Sequence, residues 1–135
     1  MPPMAPFLGL KSGTHEIGGR PVNVQIFGIQ KSADTRKALR FFKERRVNVH
    51  FVDLKTRAAS KGELTRFVQK FGVDGVLDRD SKRFKALGLG PAHYSDKKWL
   101  EILAEEPLLL KMPLVRNQNL LSVGAAEEVW KDWVR

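Results

Sequence analysis

Between Val24 and Phe42 the chain reads VQIFGIQKSADTRKALRFF, an apolar stretch that passes through a short polar turn into a basic helix. Val22 to Phe27 alternates Val, Val and Ile with Asn and Gln and ends at Phe27-Gly28, which predicts a strand. A helix opens at Ser32 or Ala33 and runs to about Arg46, with Thr35, Leu39 and Phe42 on one stripe, Ala38 beside it, and Lys37, Arg40 and Lys43 turned away. Ser32 and Thr35 are three positions apart at the mouth of that helix, the spacing at which a redox protein carries Cys-x-x-Cys, yet the chain has no cysteine. Disulfides and thiolate metal sites are thereby excluded.

The remaining elements extend this unit. Asn48 to Leu54 alternates as a second strand. Ser60 followed by Glu63 has the spacing of a capping box, opening a helix that carries Leu64, Phe67, Val68 and Phe71 and stops at Gly72. Val73 to Gly90 is turn-rich, with Phe84 and Leu87 as anchors, and Ser95-Asp96 caps a helix holding Trp99, Leu100, Ile102 and Leu103. Leu108 to Val115 reads as a third strand with Pro113 inside it, Asn117-Gln118-Asn119 as a tight turn, Leu120 to Val123 as a fourth strand, and Ala125 to Val134 as a closing helix. The order is strand, helix, strand, helical insertion, hairpin and helix. It predicts an α/β, thioredoxin-like fold: a four-stranded mixed sheet with the helical insertion between strands 2 and 3, and a right-handed crossover joining the first parallel pair. Read from the residues alone, Pro113 is an edge or bulge proline in trans.

A chain of 135 residues suits one compact core, expected over 22–135, behind a flexible Pro-, Gly- and Ser-rich arm over 1–21. The longest apolar run, Pro107 to Val115, contains Lys111 and Pro113 and is far shorter than a membrane span of about 20 residues. The arm lacks the basic start and apolar stretch of a secretory signal, so a soluble, cytoplasmic protein is the expectation. A net charge of +9 makes an anionic partner worth considering. The charge is nevertheless spread over several elements, densest on 31–46, as on the solvated faces of amphipathic helices. Direct nucleic-acid binding has only that charge in its favour, because no recognised motif accompanies it.

The turn keeps one chemical asset without a thiol. The first amides of a helix are unpaired donors at the positive end of its dipole, so Lys31, Ser32, Ala33, Asp34, Thr35 and Arg36 surround a position for a phosphate, sulfate or carboxylate. The alternative is that Ser32 simply caps the helix by accepting an amide hydrogen bond from near Asp34 or Thr35. Asp34 also places a negative charge in the first turn. His15, His50 and His93 stand in no spacing that suggests a triad or metal ligands, so neither a metal nor serine catalysis is expected.

In its ordered pieces, IFGIQKSADTRKALRFFKE, VNVHFVDLKT, RFKALGLGPAHYSDKKWLEILAEEPLLLKMPLV and the final hairpin with its helix, the chain resembles the glutaredoxin-coupled arsenate reductases, a family that includes the Spx transcription regulators. The resemblance covers roughly Asn23 to Trp133. It implies that Ser32 stands where the family has its catalytic cysteine, Thr35 where some members have a second one, and Arg36 where an arginine commonly follows. It also implies a cis bond before Pro113, which adds Met112 and Pro113 to the anion-binding candidates. The family's two further arginines fall at Asp78 and Met112, with Arg79 and Lys111 each one residue away, where a strand side chain points to the opposite face.

Arsenate reduction needs a sulfur nucleophile regenerated through a disulfide, a step with no reversible oxygen counterpart. The resemblance therefore implies a binding or regulatory module without thiol chemistry or cofactor, whose partner is a protein such as RNA polymerase or a small anion at the helix mouth. The alternative is an arsenate reductase or thiol-disulfide oxidoreductase relative that borrows an external thiol such as glutathione. A single replacement of Cys by Ser at position 32 would leave the same cysteine count, but Asp78 and Met112 would remain.

Overall fold

The computed structural model describes Glu16–Ile17, Arg20–Pro21 and residues 23–134. The arm expected over 1–21 lies outside the described residues except for β1 (Glu16–Ile17) and β2 (Arg20–Pro21), which pair antiparallel. Val22, the expected first residue of the leading strand, also lies outside them.

That strand is β3 (Asn23–Gly28), and α1 (Ala33–Glu44) and β4 (Asn48–Asp53) follow it. The insertion is α2 (Lys61–Phe71), two short helices α3 (Val73–Val76) and α4 (Lys82–Ala86), then α5 (Asp96–Glu105). The hairpin of β5 (Leu114–Asn117) and β6 (Leu120–Val123) leads into α6 (Glu127–Trp133). The four long strands lie in the order β4-β3-β5-β6, with β3 parallel to β4 and antiparallel to β5. This is the mixed sheet expected from the order of elements.

Alternation along β3 separates two cores. Val24 and Ile26 pack with Ala38, Phe41 and Phe42 of α1 and with Trp130 and Trp133 of α6. Phe27 faces the other way, into a larger cluster with Leu64, Phe67, Phe84, Trp99 and Leu103. The two helix layers thus follow from a period of two in the strand and about 3.6 in the helices. Trp130 is fully buried, and its indole nitrogen donates to Ser122 Oγ at 2.8 Å, so its one polar atom is satisfied inside the core.

Local expectations are corrected at several points. The third strand does not run from Leu108: Pro107–Leu109 is a 3-10 turn, Leu110 makes one bridge to Leu77, and the ladder begins only at Leu114. Pro113 has no N–H to give that ladder, and its bond to Met112 is cis, as the resemblance implied and unlike the trans reading from the residues alone. Leu87 is no anchor; it is 38% exposed, whereas neighbouring Phe84 is buried. On α1 the buried stripe is Thr35, Ala38, Phe41 and Phe42, and Leu39 lies at its half-buried margin.

Candidate functional site

The turn between β3 and α1 lies at the C-terminal end of β3. Phe27 pairs with Leu114 in an antiparallel ladder, so Gly28 and Pro113, one residue further on each strand, stand at the same end of the sheet. Topology therefore brings Met112-Pro113 to the end of the sheet where α1 begins. From Gly28, the chain turns through Ile29 to Lys31, with the Ser32 amide donating to Ile29 O at 3.1 Å.

Ser32 is extended and acts as the N-cap: its Oγ accepts from the Thr35 amide at 3.1 Å and its carbonyl from the Arg36 amide at 3.0 Å. Its hydroxyl lone pair is thus used for capping, as the plainer sequence reading had it. The amides of Ala33 and Asp34 have no acceptor among the described residues and are the donors left for an anion. Both residues are exposed, as is Lys31. Asp34 keeps its carboxylate in the first turn, where it already complements the helix dipole. Arg36 is directed backward, its Nη1 donating to Gln30 O at 2.7 Å, so its guanidinium braces the turn.

Thr35 is a different kind of residue from its neighbours. Its side chain is fully buried, and Oγ1 has no hydrogen-bond partner. It packs over Gly28 so closely that a Cβ built there would collide with Oγ1 and lie 2.8 Å from Cγ2. Gly28 is required by this close approach, and its dihedral angles impose no such requirement. The two positions of the Cys-x-x-Cys spacing therefore have unequal roles: Ser32 is half-buried at the helix mouth, and Thr35 is sealed against β3.

At the expected clamp positions, Asp78 and its neighbour Arg79 are engaged away from this turn. Asp78 Oδ1 accepts the Asp80 amide at 3.0 Å in a local turn. Arg79 is drawn to Asp74, with Nη2 to Oδ1 at 2.8 Å, and its guanidinium carbon lies 5.6 Å from the Trp99 ring centre. Met112 is half-buried against the larger core; its side chain offers an anion no donor, but its backbone amide has no acceptor among the described residues. Pro113 is buried and likewise has none. Lys111 is exposed, and its backbone amide donates to Val76 O at 2.7 Å.

Two features had no clear signal in the sequence. Arg83 Nε donates to Glu106 Oε1 at 2.7 Å, tying α4 to the end of α5 across 23 residues. That hydrogen bond holds the Glu106 carboxyl below its usual range. The second is a shallow, open groove of about 570 Å³ on the outer face of α1, lined by Gln30, Arg36, Leu39, Arg40, Lys43 and Glu44. A separate cleft of about 450 Å³, between Asn23, Asn48, His50 and Arg116, lies at the opposite end of the sheet from the turn. Among the described residues, no group of three His, Cys, Asp or Glu side chains is placed to hold a metal.

Comparison with known proteins agrees with this geometry. The sequence pattern of the ArsC family matches residues 27–133, from the end of β3 through α6. The chain belongs to the ArsC family. A global transcriptional regulator, Spx 2 of Oceanobacillus iheyensis, is 29% identical over 109 residues, covering 79% of this chain and 80% of that protein. Among solved structures, the YffB (PA3664) protein superposes with a TM-score of 0.76 at 22% identity, covering 83% of this chain and 99% of its own. An arsenate reductase from Vibrio cholerae gives 0.71 at 24% identity, covering 82% and 97%. At those identities the structures establish the thioredoxin-like ArsC fold. The family membership rests on the sequence match.

Proposed function

We propose that this ArsC-family chain has lost thiol redox chemistry and acts as a binding or regulatory module. One observation carries the reading: at the helix mouth Ser32 spends its side-chain oxygen on capping α1. A serine hydroxyl with no general base beside it is a poor nucleophile, and no histidine among the described residues bonds to it. The absence of cysteine removes the disulfide step as well. What the turn retains is the pair of free amides at Ala33 and Asp34, suited to a small anion or a partner's carboxylate.

The likeness to an Spx regulator favours a protein partner in the cytoplasm, with RNA polymerase the first to test. A cofactor has no part in this reading; glutathione would enter only if the chain were a reductase using an external thiol.

Arsenate reduction with glutathione, glutaredoxin and NADPH, run on the unmodified protein and on Ser32→Cys, tests it. No turnover above background is expected from the unmodified chain, and turnover there would overturn the reading. Turnover only after Ser32→Cys would mean that the pocket persists and sulfur alone is missing. Retention of purified RNA polymerase at low and moderate salt tests the partner; no retention at either removes that candidate.

A further inference from the structure

We infer that the outer groove of α1 is a docking site for an acidic, amphipathic peptide segment of a protein partner. The inference deepens the binding-module reading above and rests on it. Leu39 and Arg40 lie three and four residues after Arg36, and Lys43 lies four and three after them, so the four residues share one face of the helix. Leu39 is half-buried against the smaller core and supplies the apolar part of this face, and the exposed Arg36, Arg40 and Lys43 surround it. Arg36 is oriented by its bond to Gln30 O at one side of this face. Arg40 and Lys43 have no acidic partner among the described residues.

Charge complementarity and the apolar Leu39 together select the occupant. A segment with Asp or Glu on its flanks and Leu-like residues between them would pair with the rim and bury its apolar side on Leu39, the helix-in-groove mode. Glu44 closes one end and disfavours an acidic group there, giving the bound segment a direction. A nucleic acid is a poorer match: phosphates would meet the rim, but no aromatic ring lines the groove to stack a base.

The test is fluorescence anisotropy with a fluorescein-labelled peptide in which Glu and Asp alternate with Leu at helical spacing. Its comparators are the same peptide with Leu replaced by Ser and a labelled DNA duplex. The Leu peptide should bind most tightly, and Arg40→Glu with Lys43→Glu should weaken it by roughly tenfold, as two reversed rim charges should. Lys82→Glu with Lys97→Glu, an equal charge change on the insertion, should alter affinity by less than about twofold if long-range charge is screened. Circular dichroism checks that each variant is folded. Equal binding of the Ser peptide, tighter binding of DNA, or an equal loss in the insertion variant each overturns the inference. Failed peptide binding without arsenate turnover overturns the groove and leaves the non-redox reading standing. Turnover by the unmodified protein overturns that reading whatever the groove binds.

Discussion

Replacing Thr35 with Val should make this protein more stable. Thr35 Oγ1 is buried with no hydrogen-bond partner, and a buried hydroxyl in that condition costs about 1–3 kcal/mol. Valine has the same β-branched shape and nearly the same helix propensity, so the exchange isolates the hydroxyl from backbone effects. The added methyl contributes up to about 0.8 kcal/mol by burial. Crowding against Gly28 offsets part of that, because this contact is already close. The net expectation is a gain of about 1–2 kcal/mol, or a rise in Tm of roughly 3–8 °C for a domain of this size. Urea unfolding followed by the fluorescence of the buried Trp99, Trp130 and Trp133 should show a higher midpoint with an unchanged slope. Thr35→Ser, which keeps the hydroxyl and loses the methyl, should be less stable than the native protein. If Val is no better than Thr, the hydroxyl is bonded in solution, and Thr35 cannot be treated as a residue sealed away from ligand or water.

Gly28→Ala should destabilise by about 1–3 kcal/mol through its collision with Thr35, and the cost should largely vanish in a Thr35→Ala background; additive losses in that double-mutant cycle would contradict the contact. Ser32→Ala should cost about 1 kcal/mol through loss of the α1 cap, and Ser32→Asp should restore most of it in thermal unfolding. Glu106→Gln should lower stability at neutral pH. Because Arg83 depresses the folded carboxyl, its contribution is complete above the ordinary glutamate range of about 4 and fades as pH falls through the folded value. The native and variant curves should therefore converge in acid, and a gap that stays constant with pH would mean that the pair does not act through charge.

Much of the site's frame was legible because it rests on bonds that span three residues. Ser32 to Thr35, Ser60 to Glu63 and Ser95 to Lys98 are hydroxyl-to-amide caps whose spacing is visible in the chain itself. The β5-β6 turn at Gln118 and Asn119 and the alternation of β3 are equally local. Family resemblance added the cis bond before Pro113, which the residues alone would have left as an ordinary edge proline.

By itself, then, the sequence determined the order of the main elements, the mixed sheet, the starts of α1, α2 and α5, and the absence of cysteine. Only the tertiary structure decided which of two similar residues is buried. Leu108 to Val115 looked like one strand, but Val76 and Leu77, more than thirty positions away, take up Lys111 and Leu110 and leave the ladder to start at Leu114. Arg79 turned out to belong to Asp74, Phe84 and Trp99 and to have no place at the helix mouth. Likewise Ser32 and Thr35 are equivalent on paper, yet one caps the helix at its half-buried mouth and the other is sealed over Gly28. The physical reason is the same in each case: periodicity and capping depend on neighbours within a helical turn, whereas burial and ion pairing depend on which distant segment arrives to cover the side chain.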